Sequence, residues 1–331
     1  MPASRARRRP GEFVLIDRYF SPLATDGGAF GLKDDAAIYR ARPGEDIVVT
    51  ADTVVESVHF LPGDSPAAVS RKALRVNLSD LAAKGATPFG YLLSLALPAG
   101  WTEVWVKGFA KGLAADQKRF AVSLLGGDTT QASGGVTVAI TALGRVPKGE
   151  MVLRSGARPG DGVFVSGTIG DGALGLRIRR GKLSGRAKGA KHLLDRYLTP
   201  QPRTTLAPVL RRYASAAIDV SDGLVGDLGH ICDVSGVGAE IEARLVPLSS
   251  AAKAALAGDS SLLSLILNGG DDYEIVATVP ESREAQFVGA AKAVRVAVTR
   301  IGTIVAGNGP PVVRDASGHA IRLGTKSHTH F

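Results

Sequence analysis

The chain reads as an α/β (α+β) protein of two domains, and three observations predict it. Strand-like and helix-like stretches alternate through both halves. At 331 residues the chain exceeds the size at which one core serves. Residues 147–162 hold two prolines and four glycines in sixteen positions, the texture of a domain boundary. The expected division is a basic tail over residues 1–10, an N-terminal domain over 11–147 and a C-terminal domain over 148–331.

The elements follow in order. Residues 12–20 predict a short amphipathic helix, and 25–36 a Gly/Asp-containing loop. Residues 46–53 (DIVVTADT) predict a buried strand ending in a polar turn. Over 66–86 the apolar positions Val69, Ala73, Val76, Leu78, Leu81 and Ala82 fall at helical spacing. A strand at 91–97 is closed by Pro98 and Gly100. A helix at 102–117 leads to a strand at 121–125 that ends in Gly126-Gly127-Asp128, and 136–145 is the last strand of this half. The second half predicts strands at 162–166, 216–220, 237–242, 273–279, 295–304 and 311–314. Helices are expected at 173–181, 189–197, 204–214, 222–234, 249–257 and 281–293.

Composition excludes several classes. The single cysteine, Cys232, leaves no internal disulfide and no multi-cysteine metal site. No apolar run approaches the roughly 18 residues of a membrane span. The N-terminus carries Arg5, Arg7, Arg8 and Arg9 without a following apolar region, so a secretory signal is not expected there. A cytoplasmic location is expected. The net charge of +9 comes largely from this tail and from Arg177, Arg179, Arg180, Lys182, Arg186, Lys188 and Lys191. Aromatic residues, only 5%, do not interleave with these charges. A solvated basic face is expected, with neither a nucleic-acid nor a membrane partner.

The acidic residues are more telling. Asp outnumbers Glu 21 to 10, and Asp is the short carboxylate that suits turns and rigid metal sites. Short segments place it beside Gly, Ser or Thr at expected strand ends and helix starts. These are Lys33-Asp34-Asp35, Thr50-Ala51-Asp52-Thr53, Asn77-Leu78-Ser79-Asp80, Gly126-Gly127-Asp128-Thr129-Thr130, Asp219-Val220-Ser221-Asp222-Gly223 and Gly269-Gly270-Asp271-Asp272-Tyr273. Any one of them could be an N-cap or a turn. As a set they suit Mg²⁺, which takes hard oxygen ligands and keeps waters and substrate phosphates. Adjacent glycines let backbone N–H groups approach phosphate oxygens. Crowded carboxylates would repel without cations. The chemistry this suggests is Mg²⁺ held by carboxylates around a polyphosphate.

Gly170-Asp171-Gly172-Ala173-Leu174-Gly175 matches the letter of a dinucleotide-binding fingerprint, and Asp195 stands twenty residues beyond Gly175. Asp195 falls inside an expected helix rather than at a strand end, so a tight turn packing a helix on a strand is the better reading. No G-x-x-x-x-G-K-[ST] run occurs, which excludes a P-loop.

In order and spacing these segments resemble the thiamine-monophosphate kinase family. That family belongs to the ATP-binding superfamily of aminoimidazole ribonucleotide synthetase and selenophosphate synthetase. The resemblance also takes in Gly11-Glu12-Phe13, Val58-His59-Phe60, Asp80-Leu81-Ala82-Ala83, Arg154-Ser155-Gly156-Ala157-Arg158-Pro159-Gly160-Asp161 and Leu224. It implies a two-domain aminoimidazole ribonucleotide synthetase-like fold, in which an N-terminal sheet domain forms a dimer barrel and an α/β domain follows. It implies a homodimer that phosphorylates thiamine monophosphate to thiamine diphosphate with ATP as co-substrate and several Mg²⁺ ions. Asp34, Thr50, Ala51 (through its carbonyl), Asp52, Asp80, Asp128, Asp219 and Asp222 are the implied Mg²⁺ ligands. Gly127, Asp128, Arg154 and Ser221 are the implied ATP contacts. His59, Asp271 and His328 are the implied contacts to thiamine monophosphate. The chain departs from the family pattern at Lys33, where a glycine is usual, and at Ala51, where a hydroxyl is usual. It departs again at His328, where an aromatic residue is usual, and at Asp271, which is often Glu. No general base is expected, because a phosphate monoester is largely ionised at neutral pH.

Overall fold

The computed structural model describes residues 10–186 and 188–324. They form two compact units interleaved in sequence. One holds the described residues up to Arg42, with Val49–Asn77 and Phe89–Leu143. The other holds Pro43–Val48, Leu78–Pro88 and the described residues from Gly144 onward.

The first unit opens with α1 (Glu12–Leu15), continued by a π-type turn over Ile16–Phe20. Then come β1 (Glu45–Val55), α2 (Pro66–Ala83), β2 (Thr87–Pro98), α3 (Glu103–Phe120), β3 (Ser123–Ala132) and β4 (Thr137–Pro147), of which Glu45–Val48, Leu78–Ala83, Thr87–Pro88 and Gly144–Pro147 count with the second unit. The strands make a four-stranded sheet in the order β1-β4-β2-β3, with β2 parallel to β3. α3 starts on the Thr102 hydroxyl, which accepts from Trp105 N–H at 3.2 Å. Gly112 lets α3 lie close on α2, since a Cβ there would stand 2.6 Å from the Ala67 carbonyl. A buried bidentate ion pair locks the two helices, with Arg75 Nε 2.6 Å and Nη2 2.8 Å from the Asp116 carboxylate.

Helix α2 ends three residues short of the expected 86. Ala86 N–H donates to Leu81 O at 2.8 Å and Gly85 N–H to Ala82 O at 3.0 Å, with Gly85 at φ 71°. This is a Schellman ending that only glycine accepts without strain. Strand β1, expected to be buried, is covered on one face alone. Val48 and Val54 face the core, while Val49 on the other face is 58% exposed. A short apolar run does not reveal whether one or both faces are covered. Strand β3 continues through Gly126-Gly127-Asp128 instead of ending there. The glycines are required by the neighbouring strand, because a Cβ on Gly127 would lie 1.8 Å from Leu93 O.

The second unit contains β5 (Gly162–Ser166), α4 (Asp171–Arg179), α5 (Ala190–Leu198), α6 (Ala207–Tyr213), β6 (Ala216–Asp219), α7 (Leu224–Ser235) and β7 (Gly238–Glu242). It continues with α8 (Ser250–Gly258), α9 (Leu262–Asn268), β8 (Ile275–Val279), α10 (Glu284–Ala293), β9 (Val298–Val305) and β10 (Val312–Arg314). Six strands pair in the order β10-β7-β9-β5-β8-β6. β5 runs antiparallel to both its neighbours, β8 and β9. Every residue of β5 is buried, because helices cover both faces of the sheet. Val163 and Val165 join one core with Leu174, Ile218 and Leu228. Phe164 joins the other with Leu206, Leu210, Ala217 and Phe287. A strand covered on both sides reads as a continuous apolar run, as Gly-Val-Phe-Val-Ser does. Helix α9 has no counterpart among the expected elements.

Candidate active site

In the first unit the acidic segments ride on strands and turns. By strand alternation Thr50 and Asp52 point to the same face as Val48 and Val54, and Ala51 to the other. The backbone at this point is fixed from α2: Asp52 N–H donates to Asn77 Oδ1 at 3.0 Å, and Asn77 Nδ2 donates to Ala73 O at 3.0 Å. Asn77 is fully buried, and it ties the mid-point of β1 to the helix. His59 closes the turn after β1. Its Nδ1 accepts from Val55 N–H at 3.1 Å, so the neutral ring carries its proton on Nε2 and offers a donor there. Gly127 and Asp128 sit in β3, opposite Leu93 and Ser94 of β2. Asp34 lies on an exposed turn where its Oδ1 accepts from Asp35 N–H at 2.8 Å. In pairing order β1 and β3 occupy opposite edges of the sheet, so hydrogen bonding within the sheet does not bring Asp52 and Asp128 together.

In the second unit two loops are laced to each other. Tyr273 N–H donates to Val220 O and Asp271 N–H to Ser221 O, both at 2.8 Å, and Val220 N–H donates to Glu274 O at 2.7 Å. Gly270, at φ 69°, has no room for a Cβ, which would lie 2.2 Å from Ser221 O. Asp271 and Tyr273 are held at φ 64° and 51°. Such left-handed conformations cost non-glycine residues of order 1–3 kcal/mol each, so the surroundings must enforce them.

The surroundings are visible. The Asp272 carboxylate accepts from Gly170 N–H at 2.7 Å and Gly172 N–H at 3.0 Å. Arg196 Nη2 donates to Asp272 O and to Glu274 Oε1, each at 2.8 Å. Glu274, fully buried, also accepts from Ser166 Oγ and from Arg203 Nε at 2.6 Å. The Gly170-x-Gly172 turn is thus a pedestal for the Asp271 loop. Gly172 and Gly175 serve close packing, facing Asp271 O and Leu193 O. Asp195 is exposed on α5 and pairs with Lys191, with no part in a dinucleotide site.

The other loop is set by Asp227 in the first turns of α7. Its Oδ2 accepts from Asp222 N–H at 3.0 Å and Gly223 N–H at 3.1 Å. Burial pushes this carboxyl up to about 7, and the nearby Asp222 charge adds to the rise. Asp219, at the end of β6, is itself buried. Asp80 lies in the last turn of α2, one turn before Lys84. Burial pulls the Lys84 ammonium down to about 8, Arg154 adds to the fall, and Asp219 and Asp80 oppose it. These four charges therefore share one neighbourhood.

Comparison with known proteins decides the family. Residues 33–146 match the AIR synthase related protein N-terminal domain, and residues 158–314 match the corresponding C-terminal domain. The thiamine-monophosphate kinase of Caulobacter vibrioides is 46% identical over 93% of this chain and 88% of its own. The crystal structure of thiamine-monophosphate kinase from Stenotrophomonas maltophilia superposes with a TM-score of 0.82 at 40% identity, covering 94% of this chain and 98% of that one. The chain belongs to the thiamine-monophosphate kinase family. A further solved structure, AaThiL complexed with AMPPCP and TMP, matches with a TM-score of 0.78 at 31% identity over 98% of this chain and 99% of that one.

As a member of the thiamine-monophosphate kinase family the chain is an enzyme, a phosphotransferase, built from two AIR-synthase-type domains. The expected site residues fall into separate sets within the units. Thr50, Ala51, Asp52, His59, Asp34, Gly127 and Asp128 lie in the first. Asp80, Arg154 and Asp219 cluster around Lys84 in the second, and Ser221, Asp222 and Asp271 share the laced loops. His328 lies outside the described residues. Among the described residues, no three His, Cys, Asp or Glu side chains gather closely enough to hold a metal ion. The implied Mg²⁺ ligands are all hard oxygens (carboxylates, one hydroxyl and one carbonyl), which suits an ion that completes its shell with water and phosphate oxygens. Among the described residues no helix is long and apolar enough to cross a membrane.

Sequence reasoning passed over Lys84, Asn77, Asp227, Arg196 and Arg203. Each acts on a partner distant in sequence or through backbone groups. Only Asp227 carried a local signal, an acidic residue in the first turns of a helix.

Proposed function

We propose that the chain transfers the terminal phosphoryl group of ATP to the phosphate of thiamine monophosphate, giving thiamine diphosphate and ADP. The observation that carries this reading is the lacing of the 220–223 loop to the 269–274 loop. It holds Ser221 and Asp222, assigned to nucleotide and cation, directly against Asp271, assigned to the acceptor. The relative complexed with AMPPCP and TMP supports the pairing of these two ligand classes.

The acceptor phosphate is largely ionised at neutral pH and needs no base. The chain's task is to bring two anions together and align them. Arg154 supplies a guanidinium to the nucleotide phosphates. His59, with its proton on Nε2, donates to an oxygen of the acceptor phosphate. Asp271 takes the cationic thiazolium or the aminopyrimidine of the acceptor. Gly127 and Ser221 offer backbone and hydroxyl donors to phosphate oxygens. Asp34, Thr50, the Ala51 carbonyl, Asp52, Asp80, Asp128, Asp219 and Asp222 would hold Mg²⁺. When bound, Mg²⁺ supplies charge neutralisation across the two phosphate groups. In this reading the chain divides into an N-terminal domain over 11–147 and a C-terminal domain over 148–331. The open face of the first unit's sheet, with Val49 58% and Leu92 39% exposed, supports a homodimer formed through that sheet. Light scattering at twice the chain mass is the expected result.

An ADP-release assay with thiamine monophosphate, thiamine and no acceptor tests the reaction, with phosphorus NMR of the product. Turnover is expected with thiamine monophosphate alone. Phosphorylation of thiamine but not of its monophosphate would overturn the reading.

A further inference from the structure

Lys84 is the cap residue at the C-terminal end of α2 and has no role in the reaction as proposed. Its Nζ donates to Ala217 O at 2.7 Å, a partner 133 positions away. Ala217 lies in β6, two residues before Asp219. The Lys84 carbonyl accepts from Val152 N–H at 3.1 Å, and Ala217 N–H donates to Leu153 O at 3.0 Å. Lys84 N–H donates to Asp80 O at 3.0 Å. A single residue therefore joins three segments: the helix turn bearing Asp80, the strand bearing Asp219 and the run leading into Arg154. Its ammonium is largely buried and interacts electrostatically with all three of those charges.

Two carboxylates brought to one place repel each other. A fixed ammonium among them offsets that repulsion without a metal. The same ammonium opposes the entry of a divalent cation. We infer that Lys84 is a positioning residue and built-in counter-charge, holding Asp80 and Asp219 in place in the metal-free enzyme and competing electrostatically with the cation they bind. The inference rests on the reading that Asp80 and Asp219 are cation ligands.

Its sign separates it from a merely structural role. Loss of a structural tie would displace the carboxylates and weaken cation binding. Loss of a competing charge strengthens it. The test uses the full chain with Lys84→Met, with Lys84→Gln, which keeps an N–H donor without the charge, and with Lys84→Arg, which keeps the charge. Thermal unfolding and turnover are each followed across a MgCl2 titration. Both neutral variants are expected to unfold at lower temperature without MgCl2 and to need about threefold to tenfold less MgCl2 for half of their stabilisation, the scale of one charge acting over several Å. Lys84→Arg is expected to keep the wild-type midpoint. A midpoint unchanged or raised in both neutral variants, with the wild type responding to MgCl2, overturns the inference alone. A wild-type chain indifferent to MgCl2 overturns it together with the cation reading beneath it.

Discussion

The carboxylates of the two units are held in opposite ways. In the first unit Asp34, Asp52 and Asp128 are exposed, and what fixes them is backbone: Asn77 on the Asp52 N–H, and the close approach of β2 at Gly127. In the second unit Asp219 is buried, and the loops bearing Asp222 and Asp271 are clamped by Asp227, Asp272, Glu274 and Arg196. An exposed carboxylate keeps its hydration until a cation arrives, so its removal costs the fold little. A clamped loop stores strain and buried charge, so its supports matter to stability as well as to chemistry. Rigid presentation is concentrated where the 220–223 and 269–274 loops meet.

The comparison is broken most directly at Asp128. Asp128→Asn is expected to lower kcat by about 10²–10³, the scale of losing one electrostatic contact in a transition state, with stability within roughly 0.5 kcal/mol of wild type. Steady-state kinetics and urea unfolding check the pair of outcomes. Near-normal turnover would remove Asp128 from the site, and a large loss of stability would contradict its placement on an exposed strand face. The converse is expected at Arg196, which is nearly buried between Asp272 O and Glu274. Arg196→Ala leaves Glu274 with Arg203 as its remaining ion-pair partner and should cost about 3–5 kcal/mol in urea unfolding. A cost below about 1 kcal/mol would mean that the loop is not clamped.

A smaller effect sharpens the comparison. A Cβ on Gly172 would stand 2.2 Å from Asp271 O, so Gly172→Ala must push the 269–274 loop away. It is expected to cost about 1–3 kcal/mol and to raise KM for thiamine monophosphate more than KM for ATP. Equal changes in the two would show that Asp271 does not belong to the acceptor side.

Much of this was legible in the sequence. The alternation of elements and the Asp-rich segments stand in the structure as strands, helices and turns. Those segments stood out because short carboxylates beside glycines form a local pattern. The supports were not, because they are made between distant residues: Lys84 with Ala217, Arg196 with Asp272 and Glu274, and Asp272 with the Gly170 turn. The Gly170-x-Gly172 turn is rightly set aside as a dinucleotide fingerprint, but its purpose is hidden for the same reason, since it lies in the loop a hundred residues away. Helix α9 escaped because Leu-Leu-Ser-Leu-Ile-Leu-Asn is too short and too apolar for a period of 3.6 to differ from a buried strand. Asp128 was placed at a strand end because Gly-Gly reads as punctuation, whereas here the glycines serve the approach of β2.

The smallest effect expected is one of pH. Burial pushes the Asp272 carboxyl up to about 8, although the Gly170 and Gly172 N–H groups and Arg196 pull the other way. An unfolded chain releases that proton near pH 4. Between these values the folded state binds the proton and the unfolded state does not, so the unfolding free energy falls as pH rises. The stabilisation from this group is complete below about pH 4 and is lost as pH rises through about 8. Asp272→Asn removes the titration. It also replaces one carboxylate oxygen with an N–H group facing the Gly170 turn, so the variant should be less stable throughout. Its melting temperature should nevertheless decline less steeply between pH 5 and 8 than that of the wild type. Parallel declines would mean that Asp272 is ionised in the fold across this range and that the backbone donors and Arg196, rather than burial, set its charge. In that case the 269–274 loop would rest on a buried charge rather than on a neutral hydrogen-bonded acid.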